Sequence, residues 1–156
     1  MDANEWNKHL AWAERLCSRR EYCVQEIRMK FKAKGLDGPQ IEELIVTLQE
    51  RNFVDEQRYV HAFVHDKSQL QGWGAEKIRY ALRARQIPEA MIREALAGID
   101  PQAQKEKLRR LLETKRRSIK AASEDEVRAK LIRFGLARGF AFKDVIDGVR
   151  QIFVQF

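Results

Sequence analysis

Apolar side chains recur along this chain at three- and four-residue spacing, which is the period of an amphipathic helix. A clear example is segment 39–51, whose apolar positions are Ile41, Leu44, Ile45 and Leu48. No clean alternation of apolar and polar residues occurs, and only three prolines interrupt the 156 residues. The pattern therefore predicts an all-α protein.

Three stretches, 22–36, 73–87 and 122–140, share one arrangement of residues. Each contains an expected helix N-cap, then an apolar residue four positions later and an arginine directly after it. These are Cys23, Ile27 and Arg28 in the first stretch, Gly74, Ile78 and Arg79 in the second, and Ser123, Val127 and Arg128 in the third. A second apolar position (Phe31, Leu82, Leu131) and a terminal pair (Gly35-Leu36, Gln86-Ile87, Gly139-Phe140) complete the arrangement. The caps are 51 and 49 residues apart, a period typical of helical repeats.

Each copy is expected to contain three helices, with the shared stretch as the second. We predict first helices at about 4–17, 55–70 and 101–120, and third helices at about 39–51, 88–97 and 141–153. The predicted fold is all-α, with three tandem three-helix repeats (1–52, 53–98 and 99–156) forming an elongated, curved array. Because three short helices bury little apolar surface, neighbouring repeats should stack.

Trp73 lies between Gly72 and Gly74, so it could be either a stacking platform for a ligand or a structural fastener. With Gly74 as N-cap, Trp73 and Ile78 take the two positions of a hydrophobic staple. This spacing favours the fastener, and the two glycines allow a tight turn around the ring.

Positive charge is concentrated in the last third of the chain. The sequence has 30 Lys and Arg against 23 Asp and Glu, and the net charges of 1–52, 53–98 and 99–156 are 0, +1 and +6. Such a surface favours a polyanionic partner, either nucleic acid or an acidic protein groove. A solvated face without a partner is the alternative.

The individual cations have two possible functions. Arg28, Arg79 and Arg128 recur at one position beside the apolar face, which favours pairing with internal carboxylates over contact with an external anion. Candidates for partner contact on the first two repeats are Lys30, Lys32, Arg79, Arg83 and Arg85. The run 105–120 carries six net positive charges. It adds the candidates Lys105, Arg109, Arg110, Arg116, Arg117 and Lys120. Four of these, Lys105, Arg109, Arg116 and Lys120, can share one helix face.

No motif typical of catalysis or of nucleotide binding occurs in the sequence. Cys17 and Cys23 have no second pair, and His61, His65 and Asp66 have no evident further ligand for a metal. We therefore expect no enzymatic activity, no metal and no cofactor. The sequence has no signal peptide and no membrane-spanning apolar run, so we expect a cytoplasmic protein with reduced cysteines and no membrane association.

Segment 52–87 resembles the central repeat of the RecX family of bacterial recombination regulators. The matching residues, in order, are Phe53, Asp55, Arg58, Tyr59, Phe63, Val64, Gly72, Trp73, Gly74, Ile78, Arg79, Leu82 and Ile87. Segments 18–35 and 134–140 look like the flanking repeats, so the likeness covers nearly the whole chain. Departures from the family pattern include Asn52 and Gln86 for glycine, Gln71 for a basic residue and Cys23 for a capping serine.

The resemblance implies a monomeric, non-enzymatic regulator of recombination, DNA repair and the SOS response. Members of the family typically bind the RecA recombinase, chiefly its filament on single-stranded DNA, and inhibit strand exchange, ATP hydrolysis and coprotease activity. Direct contact with DNA is a further possibility. The alternative is a helical module that binds DNA without any dependence on RecA.

Overall fold

The computed structural model describes residues 1–120 and 123–154, and these residues form helices joined by short turns. The helices are α1 (Ala3–Arg19), α2 (Val24–Ala33), α3 (Gly38–Glu50), α4 (Glu56–His65), α5 (Ala75–Ala84), α6 (Glu89–Ala97), α7 (Pro101–Ser118), α8 (Glu124–Ala137) and α9 (Phe142–Phe153). No strand occurs in the described ranges, so the predicted all-α fold is confirmed. Ala122, predicted to open the third shared stretch, and residues 155–156 of the predicted third repeat lie outside the described residues.

The described chain divides into two compact units. Unit 1 contains Met1–Phe63 and Arg85–Ile87, and unit 2 contains Val64–Ala84 and the described residues of Pro88–Phe156. The boundaries of the three predicted repeats stay a prediction.

Polar caps and glycine explain where the helices begin. The side chains of Asp37, Asp55 and Ser123 each accept a hydrogen bond from the backbone amide three residues later, at 2.9, 3.0 and 3.2 Å. Cys23 and Gly74 directly precede α2 and α5, as predicted. These caps satisfy amides that have no partner within the first helical turn.

Unit 1 is organised around the apolar faces of α1, α2 and α3. The buried side chains are Leu10, Ala13, Ile27, Phe31, Ile41, Leu44, Ile45 and Leu48. Arg28 at the edge of this core donates from Nε to the Glu42 carboxylate of α3 at 2.8 Å. The arginine that follows the first buried position of the shared stretch therefore joins two helices of the unit.

Unit 2 has a second core between α7, α8 and α9. Its buried side chains are Leu108, Leu112, Leu131, Phe140, Val145, Val149 and Ile152. Gly135 on α8 allows the close approach of α9, because a Cβ there would lie 2.8 Å from a Val145 methyl group. Apolar burial and a small residue at the crossing together hold these helices.

The shared stretches end in left-handed backbone. Gly35, Gln86 and Gly139 have φ values of 88°, 58° and 92°. Asn52, which follows α3, has φ of 63°. Thus the two positions at which the sequence departs from the family's glycine still take the conformation that favours glycine, at a cost of about 1 kcal/mol each.

The predicted helix 55–70 is not α-helical throughout. The α-helix ends at His65, and Asp66–Leu70 form a π-helical turn in which the Gln71 amide donates to the Asp66 carbonyl at 3.1 Å. The wider turn leaves the carbonyl of buried Ser68 as an acceptor for the Lys107 ammonium. Burial lowers the pKa of Lys107. The predicted helix therefore extends over its expected range, and helical periodicity did not reveal that its last turn is of the π type.

The start of α5 lies against the end of α8 in unit 2. The Gly74 amide donates to the Arg138 carbonyl at 2.7 Å, and the Glu76 amide donates to the Gly139 carbonyl at 2.9 Å. A Cβ on Gly74 would overlap the Gly139 carbonyl group, and a Cβ on Gly139 would overlap Lys77. Gly74 is therefore required by this close approach of two backbones, in addition to its place as N-cap.

We expect Gly74→Ala to lower the free energy of unfolding by about 3 kcal/mol, because the added methyl group forces the two backbones apart. Urea denaturation followed by circular dichroism measures the change. Gly35→Ala should cost only about 1 kcal/mol, since it suffers from its positive φ alone. Gly38→Ala has neither constraint and should not destabilise. A Gly74→Ala protein as stable as Gly38→Ala would contradict the close approach.

Candidate polyanion-binding groove

A basic groove of about 660 Å³ lies in unit 2, between the end of α7 and the outer face of α8. Lys115 and Ser118 belong to α7, and Ile119 and Lys120 follow that helix directly. Across from them, α8 contributes Lys130, Arg133 and Phe134, three residues on one helical face. Four cations thus converge on one concave surface.

Phe134 holds two cations in place beside this groove. The Lys115 ammonium lies 5.5 Å from the ring centroid, and the Arg138 guanidinium lies 5.2 Å from it. Arg138 also donates to the Gln71 carbonyl at 2.8 Å. Contact with an aromatic ring orients a cation but leaves its charge unneutralised.

The groove has a single sign of charge. None of its described lining residues is Asp or Glu, and Lys115, Lys120, Lys130 and Arg133 form no ion pair with another described residue. Like charges that repel one another across a shared groove are relieved by a bound anion. The arrangement suits phosphates or a row of carboxylates.

Three of the six predicted cations of 105–120, Arg109, Arg116 and Arg117, have partners among the described residues. Arg109 binds the carboxylates of both Glu106 and Glu113. Arg116 donates to the Ile152 carbonyl at 3.3 Å and lies over the Phe153 ring. Arg117 donates from Nε to the Glu113 carbonyl at 3.4 Å. Arg110 is exposed, and Lys105 lines a small cavity with Arg109, Asp144 and Asp147. Because α7 ends at Ser118, Lys120 lies beyond the helix, and the predicted single face does not extend to it.

The predicted cations of the earlier helices are more dispersed. Arg79 pairs with Glu76 on its own helix, and Arg83 pairs with Glu89 of α6. Arg128 pairs with Glu124 at 2.9 Å and lies 4.4 Å from the centroid of the Phe153 ring. In unit 1, the Lys30 ammonium lies 5.6 Å from the Tyr22 ring centroid, the Arg85 guanidinium lies 4.9 Å from that of Phe63, and Lys32 is exposed. The assignment of Lys30, Lys32, Arg79, Arg83 and Arg85 as partner contacts stays a prediction. Arg128, on α8, was expected to pair with a carboxylate and was not among these candidates.

Six of the seven described lining residues of the groove lie outside the set predicted from the sequence: Lys115, Ser118, Ile119, Lys130, Arg133 and Phe134. The sequence did contain a signal for Lys130, Arg133 and Phe134, because residues at this spacing lie on one face of a helix. The prediction was based instead on the longest cationic run, most of which forms α7. Carboxylates at Glu106 and Glu113 within that run neutralise part of its charge.

The residues predicted to be structural make close contacts. The Lys67 and Lys77 ammonium groups lie 4.7 and 4.4 Å from the Trp73 ring centroid, and the half-buried Trp73 donates its amide to the Lys67 carbonyl at 2.8 Å. Gly72 before it has φ of 67°, as a tight turn requires. The Trp73 ring thus has contacts within unit 2, and its interpretation as a staple with Ile78 stays a prediction.

Arg58 fixes the turn between α3 and α4. It donates to the Glu21 carboxylate at 2.7 Å and to the Asn52 carbonyl at 3.0 Å. Asp55 caps α4, the helix that carries Arg58. On the same helix, the centroid of the Phe63 ring lies 5.8 Å from that of the Tyr59 ring. This part of the resemblance to the RecX pattern therefore corresponds to contacts within unit 1.

The cysteines do not present a reactive nucleophile. Burial raises the pKa of Cys17 to about 11 and that of Cys23 to about 12, so both are protonated thiols at neutral pH. No group of three His, Cys, Asp or Glu within residues 1–120 and 123–154 is arranged to hold a metal. No helix in those same ranges combines the length and apolarity needed to cross a bilayer.

The fold and the groove define an all-helical protein of three-helix bundles, with a groove whose described lining contains cations and no carboxylates. Residues 55–96 match the family model described as RecX, second three-helix domain. Regulatory protein RecX of Chlorobaculum tepidum is 30% identical over 97% of this chain and 92% of its own length, and that of Vibrio parahaemolyticus is 32% identical over 85% and 84%. The chain therefore belongs to the RecX family of regulatory proteins.

Further comparisons are with a longer relative and with a solved structure. Regulatory protein RecX of Clostridium botulinum is 33% identical over 81% of this chain, and the chain spans 60% of the length of that protein. The crystal structure of RecX from Lactobacillus salivarius superposes with a TM-score of 0.84 at 18% identity, covering 99% of this chain and all of that one. A likeness at that identity shows a shared fold.

We expect Trp73→Ala to lower the melting temperature by about 5 °C, because it removes a half-buried ring that contacts two lysines. Retention on a heparin column should be unchanged, since the ring is not part of the basic groove. Tyr80→Ala is the matched control, because this aromatic residue of α5 is 78% exposed and should alter neither property. Loss of heparin binding at an unchanged melting temperature would make Trp73 a ligand contact instead.

Proposed function

We propose that this protein binds RecA, chiefly as its filament on single-stranded DNA, and inhibits strand exchange, ATP hydrolysis and coprotease activity. It acts by binding alone, without covalent chemistry of its own. The observation that carries the proposal is the set of four convergent cations without a carboxylate, in a chain that belongs to the RecX family. Regulation of recombination and of the SOS response follows from that binding.

A filament suits several modest contacts better than one deep pocket. It presents the same protein surface at regular intervals together with the phosphates of its DNA. Each charged contact near a surface contributes little, about 0.5–1 kcal/mol. Contacts made simultaneously by one chain act at a high effective concentration, so their combined affinity exceeds that of any one of them. Occupied subunit surfaces would then halt filament growth or promote disassembly.

We expect Lys130→Glu with Arg133→Glu to raise the concentration for half-inhibition of RecA about tenfold, because two attractive contacts become repulsive. The measurement is single-strand-stimulated ATP hydrolysis by RecA, titrated with wild type and variant. Arg93→Glu with Lys143→Glu is the matched control. It makes the same charge change at exposed positions of unit 2 outside the groove, and it should inhibit like wild type.

Two outcomes separate the function from the site. Wild-type protein that leaves the ATP hydrolysis unchanged at saturation would refute RecA inhibition. Wild-type inhibition with no difference between the groove variant and its control would leave the function standing and remove the groove from the contact surface.

The second candidate is a DNA-binding module that acts without RecA. Phe134 favours it, because a ring between cations is a common feature of surfaces that bind single strands. The phosphate backbone would then bind in the groove directly.

Salt dependence distinguishes the two candidates. If each of the four groove cations neutralises one phosphate, log affinity for single-stranded DNA should fall with log salt at a slope of about −3. Fluorescence anisotropy of a labelled strand between 50 and 300 mM salt measures the slope. Inhibition of RecA that persists at salt concentrations where DNA binding is lost would favour contact with the protein and disfavour the DNA-binding module.

A further inference from the structure

A second groove that combines cations with an aromatic ring lies in unit 1, along the outer face of α1. It has a volume of about 490 Å³, and its floor is the ring of Trp12. The Lys34 ammonium, just beyond the end of α2, lies 4.0 Å from the centroid of that ring. This groove does not include any of the cations predicted from the sequence to contact a partner.

The floor of the groove is held rigidly from below. Phe31 is fully buried, and its ring lies 5.8 Å from that of Trp12 at an interplanar angle of 56°. The Phe31 ring also contacts the His9 ring edge-on, with the two centroids 6.5 Å apart. Phe31 anchors the indole, and the flexible Lys34 side chain lies over its ring, so a flat ligand that displaces the Lys34 ammonium would meet a pre-positioned apolar surface at little entropic cost.

Cations flank the indole along the helix. Lys8 and Arg15 lie seven residues apart on α1, which corresponds to about 10 Å of helix, and Trp12 lies between them. Both cations are exposed, and neither forms an ion pair with another described residue. Glu5, at one end, is the only carboxylate among the described lining residues.

This positive surface arises from segregation of charge and not from an excess of it. Residues 1–52 have no net charge. Three glutamates, Glu42, Glu43 and Glu50, line a separate cavity with Trp6 and Val46 on the α3 side. The two cavities therefore differ in the sign of their lining charges, whereas Arg20, Arg28 and Arg51 elsewhere in unit 1 pair with Glu26, Glu42 and Glu14.

The chemistry of the α1 groove selects among anionic ligands. Carboxylates of an acidic peptide would bind the cations but would place a polar backbone against the apolar floor. A nucleotide unit carries a flat base and a phosphate on the same residue, so it can satisfy the indole and the cations together. Stacking on an indole is tolerant of base identity, because every base has a π-face.

We propose that the α1 groove binds one or two nucleotide units of a single-stranded nucleic acid, with a base on Trp12 and phosphates on Lys8, Arg15 and Lys34. This site is distinct from the basic groove of unit 2, and it goes beyond the proposed regulation of RecA. Its test needs no RecA, so failure of one proposal leaves the other intact.

The test compares a labelled dT15 strand with an abasic strand of equal length and charge. Both are titrated by fluorescence anisotropy into full-length protein that carries Lys130→Glu and Arg133→Glu, so that the unit 2 groove contributes little. We expect dT15 to bind about tenfold more tightly than the abasic strand, because only dT15 supplies bases to stack. Adding Lys8→Glu and Arg15→Glu should weaken dT15 binding about tenfold or more.

Three further variants keep the test independent of folding. Arg19→Glu with Arg93→Glu makes the same charge change at exposed positions outside both grooves and should leave dT15 binding unchanged. Trp12→Leu retains an apolar floor and should equalise the affinities for the two strands, whereas Trp12→Phe should preserve much of the preference. Circular dichroism melting confirms that each variant is folded.

Three results would each overturn the proposal. One is equal affinity for dT15 and the abasic strand in protein that retains Trp12. Another is a Lys8→Glu, Arg15→Glu protein that binds dT15 like its Arg19→Glu, Arg93→Glu control. The third is competition by a polyglutamate of matched charge as strong as that by unlabelled dT15, which would assign the groove to an acidic protein segment.

Discussion

Unit 2 depends on a junction of two helix termini that meet through backbone atoms. Amides at the start of α5 lack intrahelical acceptors, and carbonyls at the end of α8 lack intrahelical donors. The Gly74 and Glu76 amides donate to the Arg138 and Gly139 carbonyls, so each terminus satisfies groups of the other. The positive end of one helix dipole also faces the negative end of the other. Only glycine at 74 and 139 permits this approach, and the junction fixes α8, whose outer face supplies Lys130, Arg133 and Phe134 to the groove.

The fold was largely predictable from the sequence because buried positions and helix ends place particular residue types at regular spacings along the chain. Spacing alone aligned six apolar positions. Ile27, Ile78, Phe31, Leu82 and Leu131 are completely buried, and Val127 is partly buried. Side-chain size and helical period dictate such positions. The π-turn Asp66–Leu70 left no trace of this kind, since it differs from an α-turn by one residue in its hydrogen bonding. The close approach of Gly139 to Gly74 was equally hidden, because the two residues are 65 positions apart and either glycine has a sufficient local explanation.

The candidate site was predicted less well, because a cation's availability depends on its neighbours in space. Arg109 belongs to the most basic run of the chain, yet two carboxylates on its own helix neutralise it. Lys130 and Arg133 belong to no such run, and they converge with Lys115 and Lys120 once α7 and α8 pack. Counting charges along the sequence located the most basic third of the chain, which contains the groove. Choosing among those charges required the helix packing, which sequence spacing alone does not contain.

The same logic explains why aromatic rings recur beside cations in this protein. A lysine or arginine held by a carboxylate is ordered but contributes no net charge to the surface. One held over a ring is also ordered, and it keeps its full charge for a ligand. Lys115 and Arg138 share Phe134, and Lys34 lies over Trp12, so both grooves contain oriented cations that remain electrostatically active. Ordering in advance reduces the entropy lost on binding, which matters when each contact is weak. A regulator that acts by many modest contacts therefore gains more from ring-held cations than from the same number of ion pairs.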